Sequence, residues 1–228
     1  MVKEETTRRL IDEAGNVLSA DAGERQLYKL SELSQSAHGK AFDRWCQSQW
    51  EDPELIDNDC AIEVVQMLGV TLSTREVKLM NGGRRREPVL HYNIGGGRGD
   101  DGASFAGTYE YVPGTAKKIK AEFPENEKLN ELAGKFQDLQ RRHFYKLTAS
   151  ITEGRDAHPS SMQVTTYRNY DEVEGDVANE MQDLIRDVAW LAFNMLRDEC
   201  DYRTSSELFE QENTENEWLY DEHGKWVQ

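Results

Sequence analysis

The residues whose types and spacing could do chemistry lie in a glycine-rich stretch and in a run of carboxylates. Gly97-Arg98-Gly99-Asp100-Asp101-Gly102 has the G-x-G-x-x-G spacing that cradles a dinucleotide pyrophosphate when a strand precedes it and a helix follows. The helix matters because its first amides and its dipole hold the anion. Ala103 to Tyr109 instead has strand character, and Asp100 and Asp101 place negative charge where a phosphate would sit. The stretch therefore reads as a tight connection between antiparallel strands, its glycines supplying positive φ. Exposed loops carry recognition, so Arg98, Asp100 and Asp101, with His91 on the strand before them, stand as a possible loop site. A nucleotide-binding protein or an enzyme would use that loop. His91 beside Asp101 could form an acid–base pair, although a hydrogen-bonded structural histidine is the plainer reading.

The other candidates are weaker. Arg84-Arg85-Arg86 is expected at the tip of a hairpin turned by Asn81-Gly82, either solvated or paired with acidic surface. Asp57-Asn58-Asp59 opens like a calcium loop but lacks the glycine and the closing bidentate glutamate. The five histidines form no H-x-x-x-H, and no G-x-S-x-G is present. Cys46, Cys60 and Cys200 are an odd set without short spacing, which argues for free thiols over disulfides or zinc. No catalytic residue, metal or cofactor is expected, and binding is favoured over catalysis.

The carboxylates are more informative. Asp171 through Glu222 holds 17 Asp and Glu against 3 Lys and Arg, a net −14 in a chain whose total is −16. A block of that sign repels nucleic acid and membrane surfaces and attracts basic protein surfaces. Within it, Val177, Met181, Leu184, Val188, Leu191 and Met195 mark a narrow apolar seam on one long helix. Ile185, Ala192 and Leu196 widen that seam. Trp190 and Phe193 fall on roughly the opposite face at about 100° per residue. Such a helix is central to its own domain or meets a second surface, in a homodimer or on a partner. Off the seam lie Asp176, Glu180, Asp183, Asp187, Asp198, Glu199 and Asp201, followed by Glu207 and Glu210 in a tail. Carboxylates on a rigid helix can imitate duplex phosphates, so a DNA mimic that blocks nucleic-acid-binding machinery is one reading. A solvated acidic face that maintains solubility is the other.

The elements that position these groups follow from periodicity. Ser34 is expected to cap a helix carrying Ala37, Ala41, Phe42 and Trp45, and a second helix is expected from near Pro53 to Gly69. Strands are predicted around 70–79, 89–94 and 105–112, helices over 115–122 and 125–142, and strands over 144–152 and 162–167. The long helix follows over 172–203, then a hairpin at 218–227. Strands in runs joined by tight turns imply α+β, an antiparallel sheet of about five strands with helices packed on it. The domain reading is a polar arm (1–26), an α+β core (27–170), and a long acidic helix with terminal hairpin packed on that core (171–228). Neither a leader nor a membrane-length apolar run is visible, so a cytoplasmic setting is expected.

Three segments resemble a family of small bacteriophage and prophage proteins. They are Leu30-Ser31-Glu32-Leu33-Ser34 with Ala37 and Lys40-Ala41, Gly99 to Tyr109 (GDDGASFAGTY), and Phe144 to Ser150. The family pattern is ELSxxAxxKA followed by GDGASFxGxY, and Asp101 is an extra residue in the second motif. The likeness covers roughly residues 27–152. Most members are uncharacterised, and some are labelled antitoxin by computation. The resemblance implies a phage origin and carries over no catalytic residue. Together with the acidic helix, it sets the expectation of a phage-encoded inhibitor of a host defence system, of anti-CRISPR or anti-restriction type. This inhibitor would bind a host protein with a basic surface in the host cytoplasm, not nucleic acid or membrane directly. An antitoxin covering a basic toxin is the alternative.

Overall fold

The computed structural model describes residues 2–11, 17–52, 55–80, 82–95 and 101–227, with side chains from Gln26 onward. Along the chain come β1 (Val2–Ile11), β2 (Val17–Lys29), α1 (Gln35–Glu51), α2 (Asp59–Met67), β3 (Val70–Leu72), β4 (Thr74–Lys78), β5 (Arg84–Pro88), β6 (His91–Asn93) and β7 (Gly102–Ser104). Then follow β8 (Gly107–Glu110), α3 (Thr115–Glu122), α4 (Glu127–Arg142), β9 (Leu147–Thr152), β10 (Gln163–Arg168), β11 (Asp171–Val173), α5 (Asp176–Arg203), α6 (Ser206–Asn216) and β12 (Leu219–Tyr220). The architecture is mixed helix and sheet, with a five-stranded sheet ordered β11-β10-β9-β8-β3, antiparallel throughout. Two compact units emerge, residues 57–198 and residues 1–56 with 199–228. These divisions fall at other places than the composition shifts near 26 and 170.

In the unit of residues 57–198, alternation along β9 buries Leu147, Ala149 and Ile151. Asn126 caps α4 by accepting from the Leu129 amide. The helix turns Leu129, Leu132, Ala133, Phe136 and Leu139 inward, and the Phe136 ring stacks on Tyr109 of β8 at 4.8 Å. Gln140 is fully buried and ties the last turn of α4 to β9. Its Nε2 donates to the Leu147 carbonyl at 2.8 Å, and its Oε1 accepts from the Leu147 amide at 3.2 Å. Burial pushes the neighbouring Tyr109 phenol up to about 12, outweighing its bond to Gln140.

Close packing explains the glycine motif. A Cβ on Gly107 would lie 2.1 Å from the Thr71 carbonyl oxygen, and one on Gly102 would meet Pro159 at 2.9 Å. Between them Ala103, Ser104 and Phe105 are buried. The segment after the glycine loop is strand, as predicted, and it is core.

One end of the five-stranded sheet holds left-handed backbone on bulky residues. Phe144 and Tyr145 (φ 58 each) lead into β9, and Asn169 and Tyr170 (φ 48 and 76) turn β10 into β11. Leu147 pairs with Arg168, which sets both turns at the same end. Phe144 is 80 % exposed and Tyr170 98 %.

In the other unit, Ser34 caps α1 as predicted, its Oγ accepting from the Ala37 amide at 3.2 Å. Ala41, Trp45, Phe209 and Tyr220 form the core, with Leu33, Phe42 and Trp218 packed around it. β1 and β2 pair antiparallel, and β12 adds to β2 through Leu219 opposite Lys29. Residues 12–16, between the two strands, lie outside the described residues. Tyr220 bridges to Trp226, closing a small terminal hairpin.

Three expectations are corrected. The second helix begins at Asp59, with Leu55 and Ile56 in a bend, while Pro53 lies outside the described residues. The strand returning from the turn at Gly82 (φ 81) is β5, not residues 89–94. Arg84, Arg85 and Arg86 therefore lie along a strand, where Arg84 pairs with Glu76 at 2.7 Å and Arg85 with Glu87 at 3.0 Å. The expected acidic tail is the helix α6, capped by Ser205, whose Oγ accepts from the Leu208 amide at 3.1 Å.

Candidate functional site

The acidic helix α5 contains no glycine or proline over its 28 residues, and it begins just after Gly175 (φ 79). At about 100° per residue its buried positions make one broad arc: Met181, Leu184, Ile185, Val188, Ala189, Leu191, Ala192, Phe193, Leu196 and Cys200. The predicted seam is therefore real, but the second apolar face is not. Phe193 belongs to the buried arc, while Trp190 stands at the surface, 38 % exposed. Asp176, Asp183, Asp187 and Asp198 are exposed with it on the remaining stripe.

The expected binding carboxylates divide into free and engaged groups. Glu180 pairs with Arg142 of α4. Glu199 holds Arg203 at 2.9 Å, one turn on, and Asp198 lies 4.0 Å from Arg197. Asp201, Glu207 and Glu210 are exposed, the last two on α6. Asp187 has its carboxyl above the ordinary 3.8, chiefly through burial, with Asp183 and Glu131 raising it further and Lys135 pulling the other way. Lys135 is itself bonded to Glu131 at 2.7 Å, which raises its own pKa.

Trp190 lies off the seam, where the periodicity put it, and is a surface group. It forms one wall of a cleft of about 340 Å³ beside α4, with Lys128, Lys135, Asp187 and Asn194 around it. Its ring meets His158 edge-on at 5.2 Å and Phe193 at 5.7 Å. His158 is fixed in turn, since its Nδ1 accepts from the Ser160 amide at 3.1 Å and lies 2.7 Å from the Ser160 hydroxyl. Arg186, one turn before Trp190, donates to the Met162 carbonyl at 3.2 Å. The tryptophan thus sits on a rigid element against a pinned loop. A Trp beside carboxylates on such a surface suits docking onto a cationic protein face, where aromatic anchors supply most of the affinity.

The glycine loop offers less. Arg98 and Asp100 lie outside the described residues. Asp101 immediately precedes β7, and the ladder sets His91 opposite Ser104 and Asn93 opposite Gly102. The His91 ring Nε2 lies 3.5 Å from the carboxylate of Glu153, the residue after β9. Among the described residues no group of three His, Cys, Asp or Glu is placed to hold a metal ion, and no helix is long and apolar enough to cross a membrane.

The chain belongs to a family whose function is unknown: the family model described as "Domain of unknown function (DUF8835)" matches residues 54–206. That span extends beyond residue 152 and takes in the whole of α5. No curated protein and no solved structure matches the chain.

Proposed function

We propose that this chain is a protein-binding protein that docks the outer stripe of α5 onto a basic surface of its partner, with Trp190 as the anchor. The observation that carries the reading is an exposed tryptophan flanked by Asp183 and Asp187 on a helix whose other side is core. Opposite charge speeds encounter and fixes register, while a desolvated tryptophan holds the complex. The exposed aspartates at 176, 183, 187 and 198 are spaced about 10, 6 and 16 Å along the axis, at 1.5 Å per residue. Uneven spacing of that kind favours anchored protein docking over a regular phosphate ladder. The role this would serve is inhibition of a host defence protein that handles nucleic acid, of anti-CRISPR or anti-restriction type, in keeping with the phage resemblance.

The test is affinity for the captured partner, identified by mass spectrometry, at about 50 and about 500 mM salt, where the screening length differs severalfold. A nucleic-acid-handling protein with a basic face, bound at least about tenfold more weakly at high salt, supports the proposal. Binding indifferent to salt overturns the electrostatic mechanism, and a captured toxin replaces the defence role with that of an antitoxin.

A further inference from the structure

The unit of residues 1–56 with 199–228 holds a cleft of its own, whose lining residues fall outside the span matched by the family. This cleft, of about 300 Å³, is walled by Trp45, Trp218, Tyr220 and Trp226, and its charged lining groups are Arg44 and Lys225. Trp45 and Tyr220 are buried and form its floor. The Trp45 indole nitrogen is held by Glu212 at 3.0 Å, and the Tyr220 hydroxyl donates to Asn213, so the floor is fixed. Trp226 forms the rim and leaves 58 % of its surface in water, with its ring 5.6 Å from Trp218.

The approach of Trp226 is set by a backbone device. Gly224 (φ 71) lies so close to α1 that a Cβ would fall 2.0 Å from the Ala37 carbonyl oxygen. Asp221 accepts from the His223 and Lys225 amides at 2.9 Å each, which closes the turn. Burial acts to raise the Asp221 carboxyl, but those two amides, with His223 and Arg44, hold it below its ordinary value. It therefore serves the turn as a carboxylate and is not among the residues that line the cleft. Arg44 is steered by its bond to the His223 carbonyl at 3.2 Å.

Aromatic walls with two cations at the lining exclude a cationic guest, since a cage for an ammonium needs rings without competing positive charge. The volume lies at the small end of ligand sites, enough for one ring system. The net charge of −16 discourages polyanions. We infer that this cleft binds a small planar aromatic molecule bearing one acidic group, its ring laid against the packed aromatic walls and the anion met by Arg44 and Lys225. Both an aromatic carboxylate and a nucleoside monophosphate have that chemistry. The inference does not depend on the α5 reading.

Calorimetry on the full chain with benzoate and 5′-AMP tests it, with benzyl alcohol and adenosine as uncharged counterparts and inorganic phosphate as the ringless one. At least one charged ring is expected to saturate the protein about tenfold more tightly than its uncharged counterpart, as one charge-assisted contact implies. The better of the two identifies the source. Trp226→Ala and Lys225→Gln, both at exposed positions, are expected to weaken it about tenfold each, Lys225→Gln without shifting thermal unfolding. Failure of both charged probes to saturate, equal binding of charged and uncharged rings, or phosphate binding as well as either would overturn the site.

Discussion

Trp190 and Trp226 stand on surfaces of different charge balance. Trp190 projects from a helix stripe that carries Asp183 and Asp187, beside a cleft that Lys128, Glu131 and Lys135 also line, whereas Trp226 edges a cleft whose lining charges are Arg44 and Lys225. The first surface lies within the matched span of residues 54–206 and the second outside it. The residue type alone does not determine what such a surface recognises; the charges around it do. On the two readings proposed above, the helix stripe meets a cationic protein face and the cleft an acidic ring.

The largest effects should come from close-packed glycines, one in each unit. Gly107→Ala drives a methyl group into the Thr71 carbonyl, and Gly224→Ala adds both a clash with Ala37 and an unfavourable φ. Each is expected to cost about 3 kcal/mol or more in urea unfolding. Gly224→Ala should also abolish binding of the aromatic acid, and retention of that binding would detach the cleft from its turn. Next in size is a crossed pair of substitutions. Trp190→Ala should weaken partner binding by about 2 kcal/mol and leave the aromatic acid untouched, while Trp226→Ala should do the reverse. If either variant impaired both activities, the two surfaces would not be independent sites.

The smallest effect concerns Asp187. Its folded-state pKa is raised above 3.8, chiefly by burial, so the ionised carboxylate costs stability at neutral pH. That cost fades as pH falls through the raised value and is gone below 3.8. Asp187→Asn should therefore unfold at a slightly higher temperature than the parent at neutral pH, with the gap closing in acid. A parent as stable as the variant at neutral pH would show that Lys135 fully offsets the burial.

Much of the scaffold was legible because its signals are local. The apolar period of α4 and the Ser34 cap of α1 each fix an element without tertiary context. β4 and β5 escaped that logic. Apart from Val77, β4 shows exposed polar side chains, and β5 reads Arg84-Arg85-Arg86-Glu87-Pro88, so no inside–outside alternation marks either. The helix α6 carries no periodic signal, because Leu208 and Phe209 are its only large apolar residues, too few for a period. For the candidate site, the carboxylates were visible but their pairing was not. Glu180 meets Arg142 across 38 positions of sequence, and no spacing rule reports such a contact. The burial of Phe193, grouped with Trp190 by its angle, was hidden for a similar reason, since a helical wheel does not say how wide an arc the rest of the fold covers. The cleft needed Trp45 and Trp226 together, residues from opposite ends of the chain.

The corners at Phe144–Tyr145 and Asn169–Tyr170 have a consequence for reading related chains. A non-glycine side chain in that backbone region carries a penalty of about 1–3 kcal/mol that glycine escapes, and at Tyr170 the ring recovers almost nothing through burial. Relatives that place glycine or asparagine at these corners would have kept only the bend, at higher thermal resistance. Relatives that keep an aromatic ring would be giving up that resistance to retain it.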